Sequence, residues 1–298
     1  MKVGVDLGGT KVEIVVLDQN NQTLYRERME TPQGDYEQTL VTIISLVQDA
    51  NNLYGPFDHI GVGLPGAVSK KTGKIKNANS TCLIGQDLQG DLASRLNMTV
   101  RLANDANCLA LSEASDGAAA GEEVVFGVIV GTGCGGGLVV NGHVVNGVNA
   151  IAGEWGHNPM PWRTSEDIEN KCYCGLKGCL ETFLSGPGLS KHYEMTTGET
   201  MSATEIAAFA KQGNAVAQEM LEIYAIWLAK GLASIINIID PDVIVLGGGL
   251  SNIEFLYQRV PELWGQWVFS DQVETRLVPA KWGDSSGVRG AAWLSKTD

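Results

Sequence analysis

Two apolar, β-rich runs open the chain, Lys2 to Val5 and Val12 to Leu17, and the stretch Asp6-Leu-Gly8-Gly9-Thr10-Lys11 between them predicts strand, glycine turn, strand. Leu24 to Met29 predicts a third strand. Tyr36, Leu40, Ile43, Ile44, Val47 and Ala50 recur at helical spacing and predict an amphipathic helix over 35–53. Strand His59 to Leu64, the loop Pro65-Gly66, a polar stretch Asn77 to Thr81, a helix over 90–96 and strand Val100 to Leu102 follow. The next helix, 106–114, puts Asn104-Asp105 at a strand-to-helix corner, where open α/β sheets place ligands.

The small-residue segment Asp116 to Gly121 reads as a domain junction short enough to act as a hinge. Beyond it the opening plan repeats. Val124 to Val130, the turn Gly131-Thr132-Gly133 and Leu138 to Val140 again read strand, glycine turn, strand, and Asn141-Gly142 is a strong hairpin signal. A helix over 215–236 leads through Asp240-Pro241 to strand Val243 to Leu246 and the cluster Gly247-Gly248-Gly249. Gly283 to Gly290 opens a last helix. A duplicated α/β architecture follows, divided as 1–117 with the C-terminal helix 288–298, and 118–287.

With 298 residues, 44% of them hydrophobic, the chain can bury proper cores, and no stretch is expected to approach the roughly 20 apolar residues of a membrane span. The expectation is a soluble cytoplasmic protein with no membrane partner. Against 34 acidic residues stand 21 basic ones, a net charge of −13, which argues against a broad nucleic-acid face. Acidity does not exclude a nucleotide, because Lys11, glycine-loop amides and magnesium can offset it locally.

The richest chemistry lies between Glu154 and Glu181. His157, Cys172, Cys174 and Cys179 form a Cys3His set suited to a structural zinc, with a carboxylate at each end of the segment. Six cysteines, three of them isolated at Cys82, Cys108 and Cys134, are too sparse for a disulfide framework. Such a staple would hold Glu154, His157 and Glu181 against a small hydroxylated ligand, and Asn79 and Asn104 extend that polar group. Three glycine clusters, at Gly8-Gly9, Gly131 to Gly133 and Gly247-Gly248, each follow a strand, where amides can approach phosphate oxygens. Alone, each reads as a tight turn. Together with Thr10, Thr132 and Asp6 they suggest a nucleotide clamp, Asp6 bearing on magnesium directly or through water. Asp105 is either a helix cap or the base that takes a proton from a hydroxyl attacking a γ-phosphate.

Asp6-Leu-Gly-Gly-Thr-Lys11, Asn104-Asp105-Ala-Asn107, Gly131-Thr-Gly133, Glu154-Trp-Gly-His157 and the segment Cys172 to Glu181 resemble the ROK family of repressors, open reading frames and sugar kinases, from Val3 to about Ala292. The resemblance implies an actin-like, hexokinase-like (ribonuclease H-like) fold of two α/β domains with ATP and a hexose in an interdomain cleft that closes on the sugar. It implies Asp105 as catalytic base and Gly66, Asn104, Glu154, His157 and Glu181 as sugar contacts. One nitrogen of His157 would serve zinc and the other the sugar. A homodimer is also implied. Asn77 to Thr81, Asn158-Pro-Met-Pro-Trp162 and Cys172-Tyr-Cys174 look most like bacterial fructokinases that also accept mannose and make the 6-phosphate; N-acetylglucosamine kinases are the alternative. Repressors of the family carry a DNA-binding domain ahead of strand one, which here opens at Lys2, and actin-like filament proteins do not need Glu154, His157 and Glu181. A non-catalytic sugar sensor is the remaining reading, against which Asp105 weighs.

Overall fold

A computed structural model describes residues 1–294 apart from 79 and 168. Asn79, expected among the sugar contacts, therefore lies outside the described residues. The opening runs form β1 (Lys2–Leu7), β2 (Lys11–Leu17) and β3 (Thr23–Glu30). β1 and β2 pair antiparallel from Lys2↔Leu17 to Leu7↔Val12, and the Gly8 amide closes the turn on the Lys11 carbonyl at 2.9 Å. Asp35 caps α1 (Tyr36–Tyr54) by accepting from the Gln38 amide at 3.0 Å, and the apolar stripe buries Leu40, Ile43 and Val47. Then come β4 (His59–Leu64), a small hairpin of β5 (Ala67–Val68) and β6 (Ile75–Lys76), α2 (Leu88–Leu96), β7 (Thr99–Asn104) and α3 (Asp105–Ser115). The first sheet runs β3-β2-β1-β4-β7, with β1, β4 and β7 mutually parallel.

A second sheet repeats the plan. It contains β8 (Val124–Val130), β9 (Cys134–Val140) and β10 (His143–Val144), the last two joined by Asn141 and Gly142 at φ 50° and 76°. After α4 (Glu181–Leu184), α5 (Gly186–Thr197), α6 (Ala203–Lys211) and α7 (Ala215–Ile239) come β11 (Val243–Gly247), α8 (Phe255–Trp264), β12 (Arg276–Pro279) and α9 (Ser286–Trp293). The order is β10-β9-β8-β11-β12, with β11 parallel to β8 and β12.

Contrary to the expectation from sequence, α7 has 25 residues and is apolar enough in composition to cross a membrane. Its Met220, Tyr224, Leu228 and Leu232 are buried, and it packs against α4, α6 and α8, as a core helix does.

The chain divides into two compact units, Met1–Gly121 with Gly137–Ala152 and Asp284–Asp298, and Glu122–Gly136 with Gly153–Gly283. The expected division kept 118–287 in one piece. The difference at 137–152 has a local cause within the first unit: Lys70 Nζ donates to the Gly147 carbonyl at 2.7 Å and Lys76 Nζ to the Asn149 carbonyl at 3.0 Å. In the same unit α9 packs on β1, β4 and α3, an approach that depends on missing side chains. A Cβ at Gly61 would collide with the Ala291 carbonyl, and one at Gly290 with the Cys108 carbonyl. Ser286 Oγ donates to Glu113 Oε1 at 2.8 Å, and buried Arg289 pairs with Asp116. The expected hinge segment is itself tied to α3, since Glu113 Oε2 accepts from the Ala118 amide at 2.8 Å.

Candidate functional site

In the first unit, Asp6 sits near the end of β1 and Asp105 opens α3 directly after β7. Capping falls to Asn104, whose Oδ1 accepts from the Ala106 amide at 2.9 Å while its Nδ2 donates to the Gly66 carbonyl at 3.1 Å. Asp105 Oδ1 accepts from the same amide at 2.8 Å. Gly66 has φ 95°, and a Cβ there would press on the Lys76 carbonyl and Ala78, so backbone packing alone accounts for this glycine. Burial, and next the Asp105 charge, push the Asp6 carboxyl up to about 7, with Lys11 and Arg28 opposing. Two acidic groups in mutual reach are suited to a divalent cation. The Gly8 to Lys11 turn is held by Thr31, whose amide donates to the Thr10 carbonyl at 3.0 Å and whose Oγ1 donates to the Gly8 carbonyl at 2.8 Å.

In the second unit the four metal-type donors come together. His157, Cys172, Cys174 and Cys179 present ligand atoms that all lie within 4.8 Å of one another. Cys172 Sγ is 3.6 Å from His157 Nδ1, and Cys174 Sγ is 3.6 Å from Cys179 Sγ. Tetrahedral zinc with bonds of ~2.3 Å to sulfur and ~2.1 Å to nitrogen sets its ligands roughly 3.5–3.8 Å apart, so the donor set fits the ion. The backbone explains the motif's other residues. Met160 and Leu180 amides donate to the Gly178 and Asn158 carbonyls at 2.9 and 2.8 Å, closing the loop on itself. Gly175 and Gly178 turn it at φ 94° and 69°. Trp155, buried, donates from Nε1 to the Gly135 carbonyl at 3.0 Å and packs edge-on against Phe126, anchoring Glu154 and His157 on either side.

Glu154 is exposed, His157 and Glu181 half-buried. Glu181 Oε2 accepts from the Cys134 amide at 3.1 Å, which ties the end of the zinc-type motif to the start of β9. Tyr173, which carries no signal of a site in the sequence beyond being a polar aromatic inside the Cys-x-Cys spacer, enters this group. Its hydroxyl lies 3.0 Å from His157 Nε2, and desolvation by the groups crowding the hydroxyl, then Glu181 and Glu154, push its phenol up to about 12 although the side chain as a whole is largely exposed, so it stays protonated at neutral pH.

A cavity of about 1160 Å³ in the second unit receives two of the three glycine clusters. Gly131, Thr132 and Gly249 line it, together with Gly186 and Pro187 at the start of α5, Lys211 on α6 and Asn252. Of the third cluster, Gly249 lines this cavity and the expected Gly247 and Gly248 do not. Gly247 is buried in β11, and at Gly248, with φ 84°, a Cβ would meet the Val130 carbonyl; the lining glycine is Gly249. The walls from α5 and α6 were also unread, although Ser185 and Ser202 are clear cap residues, the latter in a capping box with Glu205. Gly8 and Gly9 belong to the first unit.

A profile of the ROK family matches residues 2–298. An N-acetyl-D-glucosamine kinase of Photobacterium profundum is 41% identical over 300 residues, covering 99% of both chains. A ROK hexokinase from Thermus thermophilus superposes with a TM-score of 0.87 at 30% identity, over 98% of this chain and 97% of that one. A ROK family glucokinase from Streptomyces griseus, solved with glucose and AMPPNP, gives 0.80 at 27% identity over 98% of each.

Proposed function

The chain belongs to the ROK family and has its hexokinase-like fold and ATP-dependent sugar kinase activity; we propose that it transfers the γ-phosphoryl group of ATP to the 6-hydroxyl of a hexose, with Asp105 as general base. The observation that carries this reading is the carboxylate pair of the first unit. Asn104 supplies the cap side chain of α3, while Asp105, within electrostatic reach of Asp6, has a carboxylate suited to take a hydroxyl proton. Asp105 accepts that proton as the hydroxyl oxygen attacks phosphorus, which raises the nucleophilicity of the oxygen during transfer. Asp6 would hold magnesium, directly or through water, and the ion would supply positive charge to offset that of the phosphate oxygens. Gly131, Thr132 and Gly249 place backbone amides and a hydroxyl around the nucleotide, while Lys11 offers positive charge near Asp6. Asn104, Glu154, His157 and Glu181 hold the sugar. His157, Cys172, Cys174 and Cys179 hold a structural zinc, which cross-links the loop that bears Glu154 and Glu181.

Two substrate readings rest on different observations. The full-length relative named as an N-acetyl-D-glucosamine kinase supports N-acetylglucosamine, in place of the fructokinase expected above. Fructose, with mannose, is favoured by the segments Asn77 to Thr81, Asn158 to Trp162 and Cys172-Tyr-Cys174. ADP release from Mg-ATP, with N-acetylglucosamine, fructose, mannose and glucose offered separately and Asp105→Asn alongside, tests activity and substrate together. Turnover that depends on Asp105 supports the mechanism, and the sugar with the highest kcat/KM decides the substrate. Silence on all four sugars would leave a sugar-sensing protein as the better reading.

A further inference from the structure

His157 has two ring nitrogens, and each has a different neighbour. Nδ1 faces the sulfur cluster, 3.6 Å from Cys172 Sγ, whereas Nε2 lies 3.0 Å from the hydroxyl of Tyr173. The two rings meet edge to face, their centroids 5.1 Å apart and their planes at 85°. Tyr173 is 74% exposed, so core packing does not account for its position. It stands between two cysteines of the donor set, and its phenol is within electrostatic reach of Glu154 and Glu181, the carboxylates assigned to the sugar. With Nδ1 committed to a metal, the ring proton resides on Nε2, and a metal-ligating histidine almost always donates that proton to an oxygen. Here the oxygen is the phenol. It occupies the N–H that the proposed function gives to a sugar hydroxyl.

We propose that Tyr173 is a specificity-determining residue of the sugar site: its hydroxyl stands in for a sugar oxygen on His157 Nε2 until a hexose displaces it, and its ring then forms a wall beside the hydroxyl that His157 holds. The proposal rests on the sugar-binding role of His157. A neutral hydrogen bond given up in this exchange weighs roughly 2- to 12-fold in an equilibrium constant. The wall acts differently, by admitting or refusing the substituents next to that hydroxyl according to their size.

The test uses zinc-loaded protein carrying Tyr173→Phe or Tyr173→Ala, with sugar affinity measured by calorimetry, kinetics on fructose, mannose and N-acetylglucosamine, and zinc content. Tyr173→Phe keeps the ring and removes the competitor, so Kd and KM for the preferred sugar fall about 2- to 10-fold, the effect falling on KM rather than kcat. Tyr173→Ala removes the wall and shifts the ratio of kcat/KM between N-acetylglucosamine and fructose by roughly tenfold or more. Zinc content stays at one per chain in both. An unchanged or raised Kd in Tyr173→Phe, an unchanged ratio in Tyr173→Ala, or loss of zinc, which would make Tyr173 a prop of the metal loop, each overturns the proposal. Wild-type protein that phosphorylates a sugar while both variants match it defeats this proposal alone. Wild-type protein that binds no sugar removes the role of His157 and takes the proposal with it.

Discussion

Asp6 is the residue whose environment most opposes its usual charge. Burial and the neighbouring Asp105 raise its carboxyl to about 7, far above its ordinary value of 3.8. In metal-free protein the folded chain therefore keeps a proton on Asp6 that the unfolded chain releases near pH 4. Its contribution to stability is greatest below about pH 4, declines as pH rises toward 7 and is flat beyond. The total drop is on the order of 4 kcal/mol, taking about 1.4 kcal/mol per pKa unit. Asp6→Asn carries no titrating proton, so urea unfolding at pH 5 and pH 8 is expected to show a smaller loss of stability than in wild type; an equal loss would assign the pH dependence to other groups. Excess magnesium should abolish the same slope in wild type by binding the ionised carboxylate. Asp105→Asn is expected to bind sugar while losing turnover by about three orders of magnitude, measured by calorimetry and ADP release; near-normal turnover removes Asp105 from the base role. Asp6 and Asp105 stand out in sequence because each sits at a strand end beside turn or cap residues. Tyr173 does not, because its partner is a histidine 16 residues away, met only through the folding of the loop.

The metal-type loop is an element without regular secondary structure, and its order comes from paired backbone at 158–160 with 178–180 and from four side-chain donors. Without the metal, the thiols bring little packing to hold the loop closed, so chelation or Cys179→Ser should release it. The expected result is faster hydrogen exchange at the Met160 and Leu180 amides, with sugar phosphorylation falling by roughly two orders of magnitude. Retained protection and activity in protein shown by analysis to be metal-free would remove the staple role. A contrasting element is α9, where contact is set by what glycines omit. Gly61→Ala forces a methyl against the Ala291 carbonyl and should cost about 3 kcal/mol in urea unfolding, whereas Gly265→Ala, with open space around it, should stay within about 0.5 kcal/mol. Equal costs would show that α9 yields. Legibility among elements followed the strength of their apolar stripe. α1 buries Leu, Ile and Val and α7 buries Met, Leu, Tyr and Ile at helical spacing over many turns, and both were readable. α6 buries only Ala203, Ile206 and Ala210, a weak stripe, whereas α8 has a stripe of Leu256, Val260, Leu263 and Trp264 that Pro261 interrupts with a helix-breaking signal.

At the scale of the molecule, the repeated strand, glycine turn, strand plan was legible, because each hairpin is local. Where the chain returns to its first unit was not. Residues 137–152 continue the alternation of the second sheet, and what groups them with the first unit includes Lys70 and Lys76 reaching carbonyls 77 and 73 residues away, contacts with no local signal. The first unit is thus assembled from three separate stretches, the last of them α9, and that has a consequence for folding. Val288 and Ala292 of α9 close a buried cluster with Val15 and Leu17 of β2. Lys2 lies 4.1 Å over the Trp293 ring, and Arg289 pairs with Asp116 inside the same unit. A chain ending at residue 283 would leave Val15 and Leu17 open to water, bare the glycine face at Gly4 and Gly61, and take Arg289 away from Asp116. Two buried side chains and a broken partly buried ion pair together cost about 6–11 kcal/mol, comparable to the whole stability a unit of this size ordinarily holds. The second unit has its own core around α7 and loses none of these contacts. Hydrogen exchange on the truncated chain is therefore expected to show β1 and β4 amides exchanging within seconds while α7 and β11 keep their protection. Protection surviving in β1 and β4 would mean that the first unit folds without α9. Loss spread equally over α7 and β11 would mean that the two units unfold as one.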